Sequence, residues 1–298
     1  MKLTKRISYI ILLFSVFLFS CSNKKKIDPS QKDLSGSYLS GDVFKGFCHF
    51  IYEENHKENK FSNMKKGDLI FVNGYLLEEF FQKIHPTIPK PYVLISHNSD
   101  MAIPHRNFTY LNDPKLIAWF GQNVHIKHPK IIPIPIGLAN RQYKHGNMKI
   151  LEKVKHQNCE KKHLVYLNFV IENYPRKRAK VYESFSDKKY CFIAKDKPYE
   201  EYLKDTAESK FVICPRGNGL DCHRTWEVLY LDSIPIVESS PLDPLLENLP
   251  ILIVKDWNEV TEERLNSFYE NIKTKKFQTE KLYAKYWYDL IEEKRKSL

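Results

Sequence analysis

The stretch of the sequence richest in chemically useful side chains is CPRGNGLDCHRTWEVL, residues 214–229. It follows an apolar, strand-like run and opens a helical pattern, so its polar residues lie where parallel α/β sheets bind their ligands. The unpaired N–H groups and the positive end of the helix dipole favour an anion at such a place, above all a phosphate. The stretch therefore predicts a phosphate-binding loop.

The residue types in this loop suit a nucleoside diphosphate. Gly217 and Gly219 allow the backbone to approach a ligand closely. Arg216 and Arg224 can form forked hydrogen bonds to phosphate oxygens. Glu227 lies one helical turn beyond, on the same face as Arg224, where a carboxylate can accept hydrogen bonds from both hydroxyls of a ribose. The predicted donor-binding residues of the loop are Arg216, Gly217, Gly219, Asp221, His223, Arg224 and Glu227. The alternative is an ordinary strand–loop–helix turn with an Arg–Glu pair on its surface.

Other ligand chemistries fit the sequence less well. The spacing of Cys214, Cys222 and His223 matches no zinc pattern. A third glycine and a G-x-x-x-x-G-K-[ST] motif are both missing, which argues against a dinucleotide or P-loop site. No D-x-D pair occurs in the chain to hold a metal on a diphosphate, whereas arginines and helix N-termini can neutralise the same charge. We therefore expect neither a metal nor a cofactor.

Further candidates lie in two other turns. His97 and Asp100 follow a predicted strand in the first half of the chain, and either side chain can take a proton from an acceptor hydroxyl. The alternative for this turn is local capping. Arg176 and Arg178 open a helix after the first strand of the second half, where they would approach the same phosphates. The alternative for them is a solvated basic turn.

The elements that must position these residues form two alternating series. The first predicts strands at 68–72, 92–96, 116–120 and 131–136 and a helix at 76–84. The second predicts strands at 164–167, 190–194, 211–214, 234–237 and 251–254 and helices at 176–185, 199–206 and 223–231. Continuous apolar strands that alternate with helices of about ten residues indicate βαβ units around parallel sheets.

These series define the predicted domains. Residues 41–157 form an N-terminal α/β domain that binds the acceptor, and residues 158–260 form a C-terminal α/β domain that binds the donor. The irregular, charged stretch 142–162 is the predicted linker between them. Residues 261–298 form C-terminal helices whose wide apolar stripe must pack on one or both domains.

The N-terminus predicts a targeting segment. Lys2, Lys5 and Arg6 precede residues 7–20, a run of apolar and small residues that is short for a spanning helix and suits a signal sequence. Cys21 ends a lipobox-like stretch and would then be lipidated, and the alternative is an uncleaved signal anchor. Residues 1–21 thus predict membrane association, with the side of the membrane left open, and residues 22–40 predict a polar tether.

The charge of the chain does not indicate a nucleic-acid partner. The formal net charge is +11, but residues 1–26 hold six Lys and Arg and no acid, which leaves +5 for the remainder. An excess of this size fits anionic substrates or simple solubility.

The sequence FVICPRGNGLDCHRTWEVLYLDSIPIV resembles the exostosin-like (GT47-type) glycosyltransferases, which carry a very similar run in their donor domain. The clear match covers residues 209–257, and Asp232 and Ser233 stand where the family often has Gly-Cys. The resemblance implies a GT-B-like α/β fold, in which two Rossmann-like α/β domains face each other across a cleft and the C-terminal helices pack back on them. It also implies that the nucleotide-sugar binds in the C-terminal domain, with Arg224 on the diphosphate and Glu227 on the ribose.

The sequence thus predicts a metal-independent glycosyltransferase that moves a sugar from a nucleoside diphosphate donor to a glycan or other hydroxyl acceptor. Two alternatives remain open. One is a non-catalytic, membrane-tethered module that binds a glycan or a nucleotide on a degenerate transferase fold. The other is a different Rossmann-type enzyme that acts on a phosphorylated substrate.

Overall fold

The computed structural model describes residues 34, 36–57, 60–104 and 108–296. The predicted signal segment, the predicted lipidation site Cys21 and most of the predicted tether lie outside the described residues. Within the described ranges, no helix has the length and apolar character needed to cross a membrane.

The first half of the chain is built on a six-stranded sheet with the order β2-β1-β3-β4-β5-β6, in which only the β1–β2 pair is antiparallel. Every residue of β3 and β4 is buried, as a parallel sheet covered on both faces requires. Its strands are β1 (Phe50–Glu53), β2 (His56–Lys57), β3 (Asp68–Asn73), β4 (Tyr92–His97), β5 (Leu116–Gly121) and β6 (Ile131–Pro133). β6 is a short edge strand that ends at Pro133, because proline cannot donate to a sheet ladder. β1 and β2 were not predicted from the sequence.

The second half is built on a five-stranded, wholly parallel sheet with the order β11-β10-β9-β7-β8. Val165 and Leu167 point into one apolar core and Tyr166 into the other, because successive side chains of a strand face opposite sides of the sheet. The strands are β7 (His163–Leu167), β8 (Cys191–Ile193), β9 (Ser209–Ile213), β10 (Ile234–Glu238) and β11 (Leu252–Val254).

Helices connect the strands and cover both sheets. They are α1 (Gly41–Gly46), α2 (Leu77–Glu79), α3 (Met148–Lys155), α4 (Pro175–Phe185), α5 (Tyr199–Ala207), α6 (His223–Tyr230), α7 (Asp243–Leu246), α8 (Glu262–Ile272) and α9 (Ala284–Lys296). The helix predicted at 76–84 is irregular, since α2 continues as a π-helical turn over Phe80–Ile84. Pro175 occupies the first position of α4, where its missing N–H is not needed.

The stretch predicted as a linker, 142–162, is not irregular throughout. Its centre forms α3, whose Leu151 and Val154 are buried and which packs against α5 of the second half. The helix is not evident from the local sequence, because it lies in a stretch of mostly charged and polar residues. Its two buried side chains attach it to the second half.

The C-terminal helices pack on both halves. Leu265 and Phe268 of α8 lie in the core beneath the second sheet. The chain then returns to the first half, where the ring of Trp287 in α9 lies 6.5 Å from that of Phe44. The hydroxyl of Tyr230 joins these regions, because it accepts a hydrogen bond from the backbone N–H of Leu39 and donates one to the Leu282 carbonyl. The structure therefore confirms the predicted fold class of two Rossmann-like α/β halves with the C-terminal helices packed on them.

Gly137 follows β6 in a turn that lies against the backbone of Leu39. Its φ is +65°, and a Cβ atom at this position would collide with the backbone carbonyl of Leu39. The N–H of the next residue, Leu138, donates to that carbonyl at 2.7 Å, so the two backbones cannot separate without losing a buried hydrogen bond.

We expect Gly137→Ala to lower the free energy of unfolding by more than the ~1–2 kcal/mol that a left-handed alanine costs. The matched control is Gly36→Ala, since Gly36 has a φ of +71° but nothing within 4 Å of the added carbon. Urea unfolding of the two variants measures the difference. Equal losses would show that backbone strain alone accounts for the cost of Gly137→Ala and that the contact with Leu39 contributes nothing.

Candidate functional site

A cavity of about 610 Å³ lies between the two halves. The first half contributes residues after β4 and β6, including Asp100 and Tyr143. The second half contributes the loops that follow β7, β8 and β9 and the beginning of α6. The ligand sites of parallel sheets lie at these carboxyl ends, so the cavity is the cleft that the GT-B-like prediction requires.

The loop 214–222 forms one wall of this cleft. Gly219 brings its backbone against the first half, because a Cβ atom there would lie 2.9 Å from Nδ2 of Asn123 and 3.3 Å from Oδ1 of Asp100. Gly217 lies close to Arg178, whose Nη2 would be 3.2 Å from an added Cβ. The two glycines allow these close approaches to neighbouring side chains, and their predicted approach to a ligand stays a prediction.

Arg178 braces the loop from the side of α4. Its guanidinium is buried and donates to the backbone carbonyls of Arg216 at 2.9 Å, Val170 at 2.7 Å and Pro215 at 3.4 Å. The neighbouring candidate Arg176 is exposed and does not line the cleft. Of the predicted pair, only Arg178 reaches the site, and most of its N–H groups donate hydrogen bonds to backbone carbonyls.

Arg224 lies in the first turn of α6 with its guanidinium over the ring of Tyr202, 5.0 Å from the ring centroid. Its Nη1 is buried and has no hydrogen-bond partner among the described residues. No carboxylate within the described ranges lies within 4.0 Å of it, so the Arg–Glu surface pair that the sequence left open as an alternative does not form. A buried, unpaired N–H of a charged group is costly, by about 1–3 kcal/mol or more, unless a ligand satisfies it.

Arg178 and Arg224 bring two positive charges to the wall of the cleft, which Lys197 and four carboxylates also line. Neither guanidinium forms an ion pair with a described carboxylate, and arginine stays protonated in proteins. Burial lowers the pKa of Arg178 from its usual value, and the nearby charge of Arg224 acts in the same direction. Two guanidiniums that form no ion pair favour an anion in the cavity that they line.

Glu227 is buried at the wall of the same cleft. Its Oε1 accepts a hydrogen bond from the hydroxyl of Tyr199 at 3.1 Å, and its Oε2 accepts one from Tyr202 at 3.0 Å. Burial and the adjacent carboxylate both raise the pKa of the Tyr199 hydroxyl. Each carboxylate oxygen keeps acceptor capacity beyond its one tyrosine. Tyr199 and Tyr202 were not predicted from the sequence as site residues, although their i, i+3 spacing on α5 places them on one helical face.

Asp221 connects the loop to the first half of the chain. Its carboxylate accepts hydrogen bonds from the backbone N–H of Ile136 at 2.8 Å, from that of Cys222 at 2.9 Å and from the indole of Trp226 at 3.0 Å. Its own N–H donates to Oδ1 of Asn123 at 2.9 Å. Burial raises the pKa of Asp221 to about 6. These bonds join the loop to the first half, so Asp221 holds the two halves together at the wall of the cavity.

His223 and Arg216 line different cavities, on opposite sides of the loop. Nδ1 of His223 lies 2.7 Å from the carbonyl of Gly137, and the side chain lines the cleft. Arg216 packs over the ring of Tyr174 at 4.8 Å and lines a second cavity of about 300 Å³ on the other side of the loop. Arg216 and Arg224 therefore do not meet at one diphosphate, as the sequence analysis expected. Which side of the loop each one reaches depends on the backbone path between them.

The two candidates for the base, His97 and Asp100, differ in how deeply they are buried. His97 is 2% exposed, and its Nε2 donates to the Pro135 carbonyl while its Nδ1 accepts from the backbone N–H of Asn98. Burial lowers the pKa of His97 to about 4. The predicted role of His97 as a base is therefore wrong, because both nitrogens are engaged away from the cleft. Asp100 is exposed and lines the cleft beside Gly219.

Within the described ranges, no three His, Cys, Asp or Glu side chains are grouped so that they could hold a metal ion.

Comparison with known proteins shows distant similarity in structure. No family model matches the chain, and no curated protein sequence matches it significantly. The UDP-GlcNAc 2-epimerase from Methanocaldococcus jannaschii has 13% identity and a TM-score of 0.34, over 70% of this chain and 71% of that one. The catalytic domain of starch synthase IV from Arabidopsis thaliana, bound to ADP and acarbose, has 10% identity and a TM-score of 0.34, over 79% and 74%.

A third similar structure is the pneumococcal O-GlcNAc transferase GtfA in complex with UDP and GlcNAc. It has 11% identity and a TM-score of 0.36, over 78% of this chain and 58% of that one. At these identities and TM-scores, the function of this chain has to be argued from its own site.

The burial of His97 predicts a pH-dependent loss of stability. A histidine with a depressed pKa in the fold contributes stability that is present above its unfolded pKa of 6.5 and is lost as the pH falls toward 4. We expect the wild type to lose about 2 kcal/mol more than His97→Gln between pH 7 and pH 5, by urea unfolding. His56→Gln removes an exposed histidine and is the control. Identical pH profiles for the two variants would contradict the prediction.

Proposed function

We propose that this protein is a metal-independent glycosyltransferase that transfers a sugar from a nucleoside diphosphate to a hydroxyl acceptor in the cleft between its two halves. The observation that carries the proposal is the pair of guanidiniums, Arg178 and Arg224, that line one interdomain cavity without an ion-pair partner, together with the unpartnered Nη1 of Arg224. A diphosphate is the dianionic or trianionic group that such a pair, with its adjacent glycine loop, is suited to bind.

The leaving group would be stabilised by charge that is already in place. As the bond between the anomeric carbon and the diphosphate oxygen breaks, its electron pair stays on the diphosphate, where negative charge develops. The orphaned Nη1 of Arg224 can donate to that charge, and Arg178 supplies a second positive field beside it. These groups need no reorganisation during the reaction, because Tyr202 and the loop carbonyls already position them.

The nucleoside would be bound through Glu227. Its two oxygens are oriented by Tyr199 and Tyr202 and lie at the wall of the cavity one turn from Arg224. A carboxylate held in this way can accept hydrogen bonds from a ribose diol next to the diphosphate, as the resemblance to the exostosin-like enzymes implies.

Asp100 would act as the base. It belongs to the first half and lies across the cleft from α6, against the loop that would bind the diphosphate. Its carboxylate takes the proton of the acceptor hydroxyl as the acceptor oxygen forms its bond to the anomeric carbon. The finer assignment to an exostosin-like enzyme rests on the run CPRGNGLDCHRTWE, and attachment to a membrane rests on residues 1–21.

Arg224→Ala should weaken the binding of inorganic pyrophosphate and of UDP or GDP by about 10- to 100-fold, since hydrogen bonds to charged groups contribute ~1.5–3 kcal/mol. Isothermal titration calorimetry measures this. Arg176→Ala is the matched control, because it removes an exposed arginine that does not line the cleft, and it should bind as the wild type does. Wild-type affinity in Arg224→Ala would overturn the proposed site. Stabilisation by an oligosaccharide alone would support a binding module instead.

Asp100→Asn should separate chemistry from binding. We expect nucleoside diphosphate affinity to stay within about twofold of the wild type, because Asp100 does not belong to the arginine wall. Transfer of sugar from the donor should fall by about 10²–10⁴-fold, the usual contribution of a general base. A panel of nucleotide-sugars, assayed for transfer and for slow donor hydrolysis, identifies the donor first. Undiminished transfer by Asp100→Asn would remove Asp100 from the mechanism.

A further inference from the structure

Two exposed apolar side chains line the cleft beyond its arginines. The large hydrophobic side chains that are well exposed in the described part of the chain include Tyr143, which is 60% exposed, and Val170, which is 53% exposed. Both line the 610 Å³ cavity. Apolar surface left in water is unfavourable by about 25 cal/mol per Å², so a flat ring that covers both side chains would gain affinity from their burial.

The two side chains come from different halves and sit on fixed backbone. Tyr143 lies between β6 and α3, where its N–H donates to the Asn140 carbonyl and its carbonyl accepts from the N–H of Gly146, both at 2.9 Å. Val170 follows β7, and its carbonyl accepts the 2.7 Å hydrogen bond from Nη1 of Arg178. Neither residue has to be ordered by a ligand, so little entropy would oppose binding between them.

Contacts lead from the arginines to Tyr143 in a defined order. Glu227, one turn from Arg224, accepts from the Tyr199 hydroxyl. The ring of Tyr199 lies 5.0 Å from that of His145, which is two residues beyond Tyr143. This wall of the cleft therefore presents positive charge, then a carboxylate, then aromatic surface, while Val170 lies beside Arg178. A nucleoside diphosphate presents its diphosphate, its ribose and its planar base in the same order.

We propose that Tyr143 and Val170 hold the base of the nucleotide between the two halves, so that the first half contributes directly to donor binding. The inference rests on the proposed function and deepens it. It also departs from the expectation that the second half alone binds the nucleotide. The ring of Tyr143 stacks on the planar base, and Val170 packs on the opposite side, near the ribose. Stacking on an aromatic side chain tolerates any base, because every base has a π-face.

The test compares ligands with and without a base. Isothermal titration calorimetry of the full chain measures inorganic pyrophosphate and a panel of UDP, GDP, ADP and CDP. For the nucleoside diphosphate that the wild type binds best, Tyr143→Ala should lose about 10-fold in affinity, and Tyr143→Trp should retain it. Pyrophosphate affinity should be unchanged in both variants. Tyr75→Ala is the control, because Tyr75 is 56% exposed but does not line the cavity, and it should bind the nucleotide as the wild type does.

The outcomes separate this inference from the function on which it rests. If the wild type binds neither pyrophosphate nor any nucleotide, both fail together. If it binds nucleotides but Tyr143→Ala binds them equally well, only the role of Tyr143 is overturned, and a raised KM for the acceptor in that variant would assign the ring to the acceptor sugar. An equal loss of pyrophosphate and nucleotide affinity would show a structural defect and also overturn it.

Discussion

The structure around the cleft depends on two guanidiniums, Arg178 and Arg224, that form no ion pair with a carboxylate of the described residues. Arg178 uses its N–H groups on backbone carbonyls, and Arg224 keeps one buried N–H without a partner. Such an arrangement is unfavourable in the absence of an anion, so the surrounding fold has to impose it. α4 imposes the position of Arg178, and α6 with the Tyr202 ring imposes that of Arg224.

The cleft has its shape because the two halves are joined directly beside it. Asp221 accepts from the backbone of Ile136 and donates to Asn123, and His223 contacts the carbonyl of Gly137. These groups belong to the same loop and helix that carry the arginines. The loop therefore has two functions, since one face holds the halves together and the other lines the cavity.

Aromatic side chains organise the polar groups of the site. Tyr202 lies beneath the Arg224 guanidinium and also donates to Glu227, so one side chain orients both a cation and a carboxylate without pairing them to each other. An ion pair between Arg224 and Glu227 would have neutralised the charge that the cleft presents. The tyrosines keep the two groups apart, and both remain available to a ligand that carries phosphate and hydroxyl groups.

The sequence by itself determined the elements and the place of the site. Apolar runs such as β4 and β9 and the proline and glycine positions are local signals, and they predicted the two α/β halves and the loop at 214–222. Only the tertiary structure decided that His97 is buried, that Arg216 lies on the far side of the loop from Arg224, and that Asp221 joins the halves. These outcomes depend on contacts between residues that are distant in the chain, such as Asp221 with Ile136 and Tyr199 with Glu227, and residue spacing within one segment carries no information about them.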